Sequence, residues 1–171
     1  FVLEPRNEIL IETFVTDVKC YGEKTGEIKA VISGGSGDLT PKWESNDGSY
    51  ECIGCLEETN LPAGKYIFTV KDNKTGCVIT KEVEISQPDE LKATITGTEL
   101  LCSGVDEGEL IVTVTGGTEN YKYTWVETHD RATIIGQTSR LSNLGAGNYE
   151  VSIEDIPNGC TTTTSKEIRS S

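Results

Sequence analysis

The clearest feature of the chain is an alternation of apolar and polar side chains with a period of two. It is strongest at residues 28–33 (IKAVIS) and 110–115 (LIVTVT), and it returns at residues 66–71 and 149–154. One face of each segment is apolar and the other is mixed, which is the pattern of a half-buried antiparallel strand. We find no helical periodicity of useful length, so the pattern predicts an all-β protein.

The strands recur because the chain contains the same motif twice. Residues 20–43 and 102–125 share a Cys-x-Gly lead, a Gly-Glu strand start, a Gly-Gly pair and a closing Trp, at a constant offset of 82. Residues 60–66 and 143–149 share an Asn-Leu-x-Ala-Gly-x-Tyr motif at an offset of 83, so one residue is inserted between the two blocks. A fixed period indicates one structural unit used twice.

The repeat predicts two domains, at residues 6–88 and 89–171. Residues 1–5 resemble the end of the first unit, so we expect them to be the tail of a preceding unit and the chain to be a piece of a longer protein. Each unit has about seven strand signals separated by turn residues, which is typical of a β-sandwich. We expect the chain on its own to be a monomer.

The repeated aromatic residues are the predicted core. Trp43 and Trp125 lie in the middle of a strand in each unit, where immunoglobulin-like sandwiches place a core Trp. Tyr66 and Tyr149 follow a Gly turn at a strand start, which resembles a tyrosine corner whose hydroxyl bonds to backbone upstream. The alternative for these two tyrosines is an exposed ring that stacks on a ligand.

Six cysteines in a small β-rich chain suggest an oxidising compartment. Cys20 and Cys102 precede the second strand of each unit, and Cys77 and Cys160 begin the last strand. Repeat symmetry favours one disulfide inside each unit, Cys20–Cys77 and Cys102–Cys160. On the chain-entropy model each such bond would stabilise its unit by about 4 kcal/mol.

Cys52 and Cys55 occur only in the first unit, as a Cys-x-x-Cys in a variable segment. A redox motif would need a thioredoxin-like helix N-terminus, and a zinc site would need four ligands. The single histidine, His129, is in the other unit. A local disulfide is therefore the favoured reading.

The net charge of −13 argues against nucleic acid or an anionic membrane surface as a partner, because phosphate binding needs a basic patch. We find no apolar run long enough to insert into a membrane. Solubility is the simple explanation of the charge, and Ca²⁺ at clustered carboxylates is the alternative. Asp72 and Asp155, each four residues before a Gly-Cys, are either turn caps or calcium ligands. We expect no other cofactor.

No catalytic motif is evident. One histidine in an unrepeated loop has no partner for nucleophilic catalysis, and no phosphate-binding Gly loop opens a helix. A pair of carboxylates for glycoside hydrolysis would be invisible in sequence, so a glycan-active enzyme is a minor alternative. A duplicated framework with unrepeated loops favours a non-enzymatic module.

The repeated residues resemble the SprB repeat of large cell-surface proteins from gliding Bacteroidota, over nearly the whole chain. In the first unit the matching positions are Cys20, Gly22, Gly26, Ile28, Gly34, Gly35, Trp43, Leu61, Ala63, Gly64, Tyr66, Asp72, Gly76, Cys77, Gln87 and Pro88. The resemblance implies an extracellular immunoglobulin-like fold, in a very long adhesin exported by the type IX pathway and carried along the outer surface during gliding. It implies a spacer or adhesive role, with neighbouring repeats and surface polysaccharide as partners. The alternative is a carbohydrate-binding module.

Overall fold

The computed structural model of the protein describes residues 7–98, 100, 104 and 106–170. Every regular element among them is a β-strand, so the all-β prediction is confirmed. The chain divides into two compact units after Gln87, one residue before the boundary expected from sequence. The predicted tail at residues 1–5 lies outside the described residues.

The first unit contains seven strands in two antiparallel sheets. Their bounds are β1 Leu10–Thr16, β2 Gly26–Ser33, β3 Leu39–Ser45, β4 Glu51–Ile53, β5 Glu57–Leu61, β6 Gly64–Asp72 and β7 Val78–Ile85. One sheet has the order β1-β2-β5 and the other has the order β4-β3-β6-β7.

The second unit has the same arrangement with six described strands. Their bounds are β8 Lys92–Gly97, β9 Gly108–Thr115, β10 Tyr121–Glu127, β11 Arg140–Leu144, β12 Gly147–Asp155 and β13 Cys160–Ile168. The sheets have the orders β11-β9-β8 and β10-β12-β13. Strands β8, β9 and β10 begin 82 residues after their counterparts, and β11 and β12 begin 83 residues after theirs, as the sequence offsets predict.

The alternating side chains produce this architecture by burying one face of each sheet. In β2, Gly26, Ile28 and Ala30 are buried while the residues between them are exposed. In β6, the buried positions are every second residue from Tyr66 to Asp72. Each unit has its own apolar core, and the two cores are separate clusters of buried residues. Because β2, β6, β9 and β12 each have one buried face, the sheets of a unit must pack face to face.

The two units differ in the segment between the third and fifth strands. In the first unit, β4 pairs with β3 and opposes Cys52 to Trp43. In the second unit, isolated bridges join Trp125 to Gly136 and Glu127 to Asp130 instead. This segment holds the inserted residue, and in the first unit it contains the additional strand β4.

Candidate functional site

The two core tryptophans attach the variable segment of each unit to its core. Trp43 and Trp125 are both fully buried, and the ring of Trp43 lies 4.6 Å from that of Phe68. The indole Nε1–H of Trp43 donates to the carbonyl of Leu56 at 3.5 Å, and that of Trp125 donates to Thr138 at 2.7 Å. Both acceptors come 13 residues after the Trp. The same indole therefore fixes a loop whose sequence is free to change.

The two repeated tyrosines form tyrosine corners, as the sequence predicts. Tyr66 and Tyr149 are buried, which removes the alternative of exposed rings that stack on a ligand. Their hydroxyls donate to backbone carbonyls four residues upstream, Tyr66 to Pro62 at 2.9 Å and Tyr149 to Gly145 at 3.0 Å. Each bond holds the turn before β6 or β12 against the core of its unit.

Asp72 is a buried carboxylate that holds two turns together. Its Oδ2 accepts from the backbone N–H of Ser36 at 2.9 Å, and its Oδ1 accepts from the Ser36 hydroxyl at 2.7 Å. The N–H groups of Lys74 and Thr75 also donate to Oδ1, at 3.0 and 3.1 Å. The Ser36 hydroxyl is the main cause that lowers the pKa of Asp72 to about 2, because it binds the charged form.

Asp155 occupies the same position in the second unit and is also buried. It accepts from the hydroxyl of Thr118 and from the side-chain amide of Asn158. Around Asp72, O–H and N–H donors already occupy both carboxylate oxygens, and around Asp155 one donor contacts each oxygen. A calcium ion would need the same oxygens. The geometry matches the turn-cap alternative for both aspartates.

The variable segment of the first unit contains a short disulfide loop. Cys52 and Cys55 are disulfide-bonded, as expected. Their sulfurs and a carboxylate oxygen of Glu58 lie within 4.8 Å of one another, the only such group of three that the described residues contain. Bonded sulfurs are not thiolate ligands, so this group does not form a zinc site. Tyr50 packs beside Tyr66 at 6.2 Å, and burial is the main cause that raises its pKa.

The prediction that Cys20 pairs with Cys77 is wrong. Cys77 is an exposed free thiol, whereas Cys20 is disulfide-bonded. Cys160, the counterpart of Cys77, is disulfide-bonded as well. The predicted Cys102–Cys160 bond is wrong as well, because among the six cysteines it would leave the bonded Cys20 without a partner; Cys102 itself lies outside the described residues. In the first unit the internal disulfide is the one in the variable segment.

The direction of β7 explains why the predicted bond cannot form. Cys77 directly precedes β7, and Ser86 directly follows it. The N–H of Ser86 donates to Asp17 at 2.7 Å, and Gln87 accepts from the N–H of Gly22 at 2.8 Å, so the segment around Cys20 lies at the far end of the strand. Eight residues at about 3.3 Å each separate the two ends by roughly 26 Å. A disulfide requires Cα atoms within about 7 Å.

The outer face of the β1-β2-β5 sheet carries apolar side chains that the sequence pattern did not predict to be exposed. Leu10, Phe14 and Val31 are 59%, 50% and 46% exposed. The register places Glu12 opposite Val31 and Phe14 opposite Lys29, so all of them share one face. The counterparts in the second unit are the polar residues Lys92, Thr96 and Thr113. The sequence signal that could have revealed this face is the pair of apolar residues, Leu10 and Phe14, on the outward-facing side of β1.

His129 does not form part of a catalytic arrangement. It is exposed, and its Nδ1 lies 3.1 Å from the carboxylate of Glu127. Asp130, the next residue, accepts hydrogen bonds from its own loop, chiefly from Thr133, and these lower its pKa.

The described part of the chain contains no helix that could span a bilayer.

The repeated residues of both units coincide with one known family. The family model of the SprB repeat matches residues 13–49 and 94–126, each region running from the first strand to just past the core Trp. The chain carries two SprB repeats. SprB repeats belong to cell-surface proteins. No curated protein matches the chain in sequence.

Solved structures give the fold class of this SprB-repeat chain. Three N-terminal domains of the highly immunogenic outer capsid protein Hoc of bacteriophage RB49 match with a TM-score of 0.50 and 20% identity, over 96% of this chain and 59% of that chain. An I-band fragment of titin matches with a TM-score of 0.53 and 14% identity, over 95% of this chain and 66% of that chain. The chain spans less than two thirds of both. The two units are immunoglobulin-like β-sandwiches.

Proposed function

We propose that this chain is a non-catalytic segment of a large extracellular surface adhesin, in which each SprB repeat is both a spacer and a platform for adhesion. The observation that carries the proposal is the pair of SprB repeats, each folded around its own Trp-centred core. A unit with its own core can be added to an array without changing its neighbours. The shared residues are all framework, which supports a structural role in place of catalysis.

The adhesive part of the proposal rests on the apolar outer face of the first unit. Monomeric proteins rarely expose contiguous apolar surface without a use for it. Leu10, Phe14 and Val31 lie on two paired strands of one face, and the second unit has polar residues at all three positions. The fold therefore does not require apolar residues there, and contact with an external surface is the role that we assign to them.

The experiment exchanges this face between the units. The triple variant Leu10→Lys, Phe14→Thr and Val31→Thr gives the first unit the residues of the second. Retention of the chain on bare and polysaccharide-coated surfaces is measured by quartz crystal microbalance. We expect the variant to bind at least about tenfold more weakly, since three half-exposed apolar side chains lose their burial.

The matched control makes the reverse exchange, Lys92→Leu, Thr96→Phe and Thr113→Val, and should bind more tightly than the native chain. Both variants use residues that the fold already holds at those positions, so loss of folding is not expected to confuse the result. Native retention that survives the first exchange would contradict the assignment of this face. No retention by the native chain would leave only the spacer role.

The parent protein is proposed to be exported by the type IX pathway, to be associated with the outer membrane and to take part in gliding. The support is the SprB repeat itself, together with a disulfide that suits an oxidising compartment. The test is a fluorescent Fab against this chain, imaged on live cells that make the parent protein. Label that moves along the cell is expected, and label that stays fixed while the cells glide would contradict the gliding role.

A carbohydrate-binding module is the second candidate, and two exposed aromatic residues favour it. Phe14 and Tyr21 are about half exposed, and the second unit has Thr96 and Ser103 at these positions. Exposed rings of this kind can stack on sugar faces. Calorimetric titration with soluble polysaccharide would then show binding that Phe14→Ala or Tyr21→Ala abolishes and Val31→Thr preserves. If Val31→Thr weakens binding equally, the apolar face as a whole is responsible.

A further inference from the structure

Three side chains that can bind a metal ion lie where the variable segment of the first unit crosses from one sheet to the other. Cys52 is on β4, in the β4-β3-β6-β7 sheet, and Glu58 is on β5, in the β1-β2-β5 sheet. Cys55 lies between the two strands. Gly54, with a φ of 85°, forms the turn between the cysteines and donates its N–H to the carbonyl of Pro41 at 2.7 Å. The crossing is therefore held to β3 while it brings the three side chains together.

The spacing of the three ligand atoms suits one tetrahedral cation. The two sulfurs and a carboxylate oxygen of Glu58 lie within 4.8 Å of one another, and all three residues are partly buried. In a tetrahedral zinc site with Zn–S bonds of about 2.3 Å, two sulfurs stand roughly 3.8 Å apart, which lies inside that limit. Two thiolates and one carboxylate leave one position for water, which is the arrangement of an open zinc site.

The carboxylate in this group is a departure from the framework that the fold does not require. Glu58 pairs with Ile28, and at the matching position of the second unit Leu141 pairs with Leu110. Leu141 packs against the second core. An apolar side chain therefore suffices there, whereas a partly buried carboxylate costs desolvation unless it has a partner. The first unit has this carboxylate together with the two cysteines, and the second unit has none of the three.

The hydroxyl of Tyr50 is placed to support the carboxylate from outside. It is buried and has no hydrogen-bond partner among the described residues. It lies near Glu58, because that carboxylate contributes, after burial, to raising the pKa of Tyr50. Carboxylates that bind metal ions are in turn hydrogen-bonded, and these outer contacts orient the ligand. Tyr50 is thus positioned to donate to Glu58 when that carboxylate binds a cation.

We propose that Cys52, Cys55 and Glu58 form a Zn²⁺ site in the reduced chain, where the metal replaces the disulfide and also ties β4 to β5. The two states are alternatives, because bonded sulfurs are not ligands. A dithiol reduces the bond: it becomes a disulfide itself, and its two electrons and two protons convert the Cys52–Cys55 bond into two thiols. Zn²⁺ then displaces both thiol protons, which pass to solvent. This inference does not depend on the adhesive role proposed above.

The test measures metal binding by the whole chain. The chain is reduced with a phosphine, which takes up the oxygen of one water per disulfide, and is titrated with Co²⁺ in the absence of air. Charge-transfer absorption from thiolate to Co²⁺ reports the sulfur ligands, and added Zn²⁺ should remove it. We expect the reduced native chain to bind one more equivalent of Co²⁺ than the variant Cys52→Ser with Cys55→Ser. That variant keeps the remaining cysteines, so any metal that they bind is subtracted.

Two further variants separate a site with three ligands from a pair of accessible thiols. Tyr50→Phe removes only the outer contact and should weaken Co²⁺ binding about tenfold. Glu58→Leu gives the first unit the residue of the second and should weaken binding by a larger factor, because a ligand is lost. Glu57→Gln, at the exposed neighbouring position, should bind like the native chain.

Three outcomes would overturn the proposal. The first is equal Co²⁺ binding by the reduced native chain and the variant without Cys52 and Cys55. The second is a Glu58→Leu variant that binds as tightly as the native chain. The third is thiolate absorption of the same strength before and after reduction, because the proposed site exists only when the two sulfurs are free of each other.

Discussion

The Gly-Gly pair at the end of β2 provides the sharpest test of how the repeat is built. Gly34 has a φ of 81°, and a Cβ added there would stand 1.9 Å from the carbonyl oxygen of Glu8. Gly37, three residues later, has a φ of 83° and nothing within 4 Å of the same added atom. The two glycines share a left-handed backbone and differ in the space around them, so Gly34→Ala and Gly37→Ala form a matched pair.

The expected losses follow from this difference. At Gly37 an alanine meets only the left-handed strain, about 1 kcal/mol. The counterpart of Gly37 in the second unit is Glu119, which has a φ of 64° and shows that a side chain is tolerated there. At Gly34 the chain must also move away from Glu8, which breaks the 2.9 Å bond from Gly35 N–H to the Asn7 carbonyl. Strain, overpacking and the lost bond together give about 3–5 kcal/mol.

The assay is urea unfolding followed by the fluorescence of Trp43, in a Trp125→Phe background that removes the second indole. The free energy of unfolding of the first unit should fall by about 1 kcal/mol for Gly37→Ala and by at least about 3 kcal/mol for Gly34→Ala, with an unchanged denaturant slope. Gly116, whose Cβ would lie 2.1 Å from the Glu90 carbonyl oxygen, should behave like Gly34 when the second unit is followed by Trp125 in a Trp43→Phe background. Equal losses at Gly34 and Gly37 would refute the close approach as the reason for the Gly pair.

Three further perturbations test the shared framework. Tyr66→Phe and Tyr149→Phe should each lower the unfolding free energy of their unit by about 1 kcal/mol, as urea unfolding measures, because each removes one hydrogen bond to backbone. Asp72 has a pKa of about 2 in the folded chain against its usual 3.8. Its contribution to the stability of the folded state is therefore complete above about pH 4 and is lost as the pH falls toward about 2. Asp72→Asn should remove this part of the acid dependence of the melting temperature. Replacing Cys52 and Cys55 by Ser should cost about 2 kcal/mol on the chain-entropy model, and a stability that reduction of the native chain leaves unchanged would contradict it.

Much of the fold could be predicted because the chain contains the same sequence motif twice. The alternation in residues 28–33 and 110–115 predicts the second strand of each unit, and the two offsets give the starts of β8 to β12. The core Trp and the Tyr corner are recognisable because each combines a large side chain with a fixed place in a strand. The short strands β4 and β5 could not be predicted, since they are polar edge strands whose pairing depends on the rest of the sheet.

The predicted Cys20–Cys77 bond could have been excluded from strand direction. Repeat symmetry shows that Cys20 and Cys77 belong to the same unit, but it does not show at which end of the unit each one lies. In an antiparallel sandwich successive strands reverse direction, so the turn after β1 and the start of β7 fall at opposite ends. Counting reversals along the chain would have separated the two cysteines. The apolar outer face was missed for a different reason, because exposure of a side chain depends on which sheet face remains uncovered.

The distribution of shared and unshared residues indicates what selection on a repeat must preserve. The residues common to both units lie in the core or at the two ends: the Trp and Tyr anchors, the buried Asp, the Gly pair and the cysteines at opposite ends. The residues that differ lie on the outer face of β1 and β2 and in the segment between β3 and β5. An isolated binding domain would need constancy at its binding face, whereas a unit built to be joined to others needs constancy at its ends. The lateral face can then vary from repeat to repeat, which lets one array present several surfaces on one scaffold.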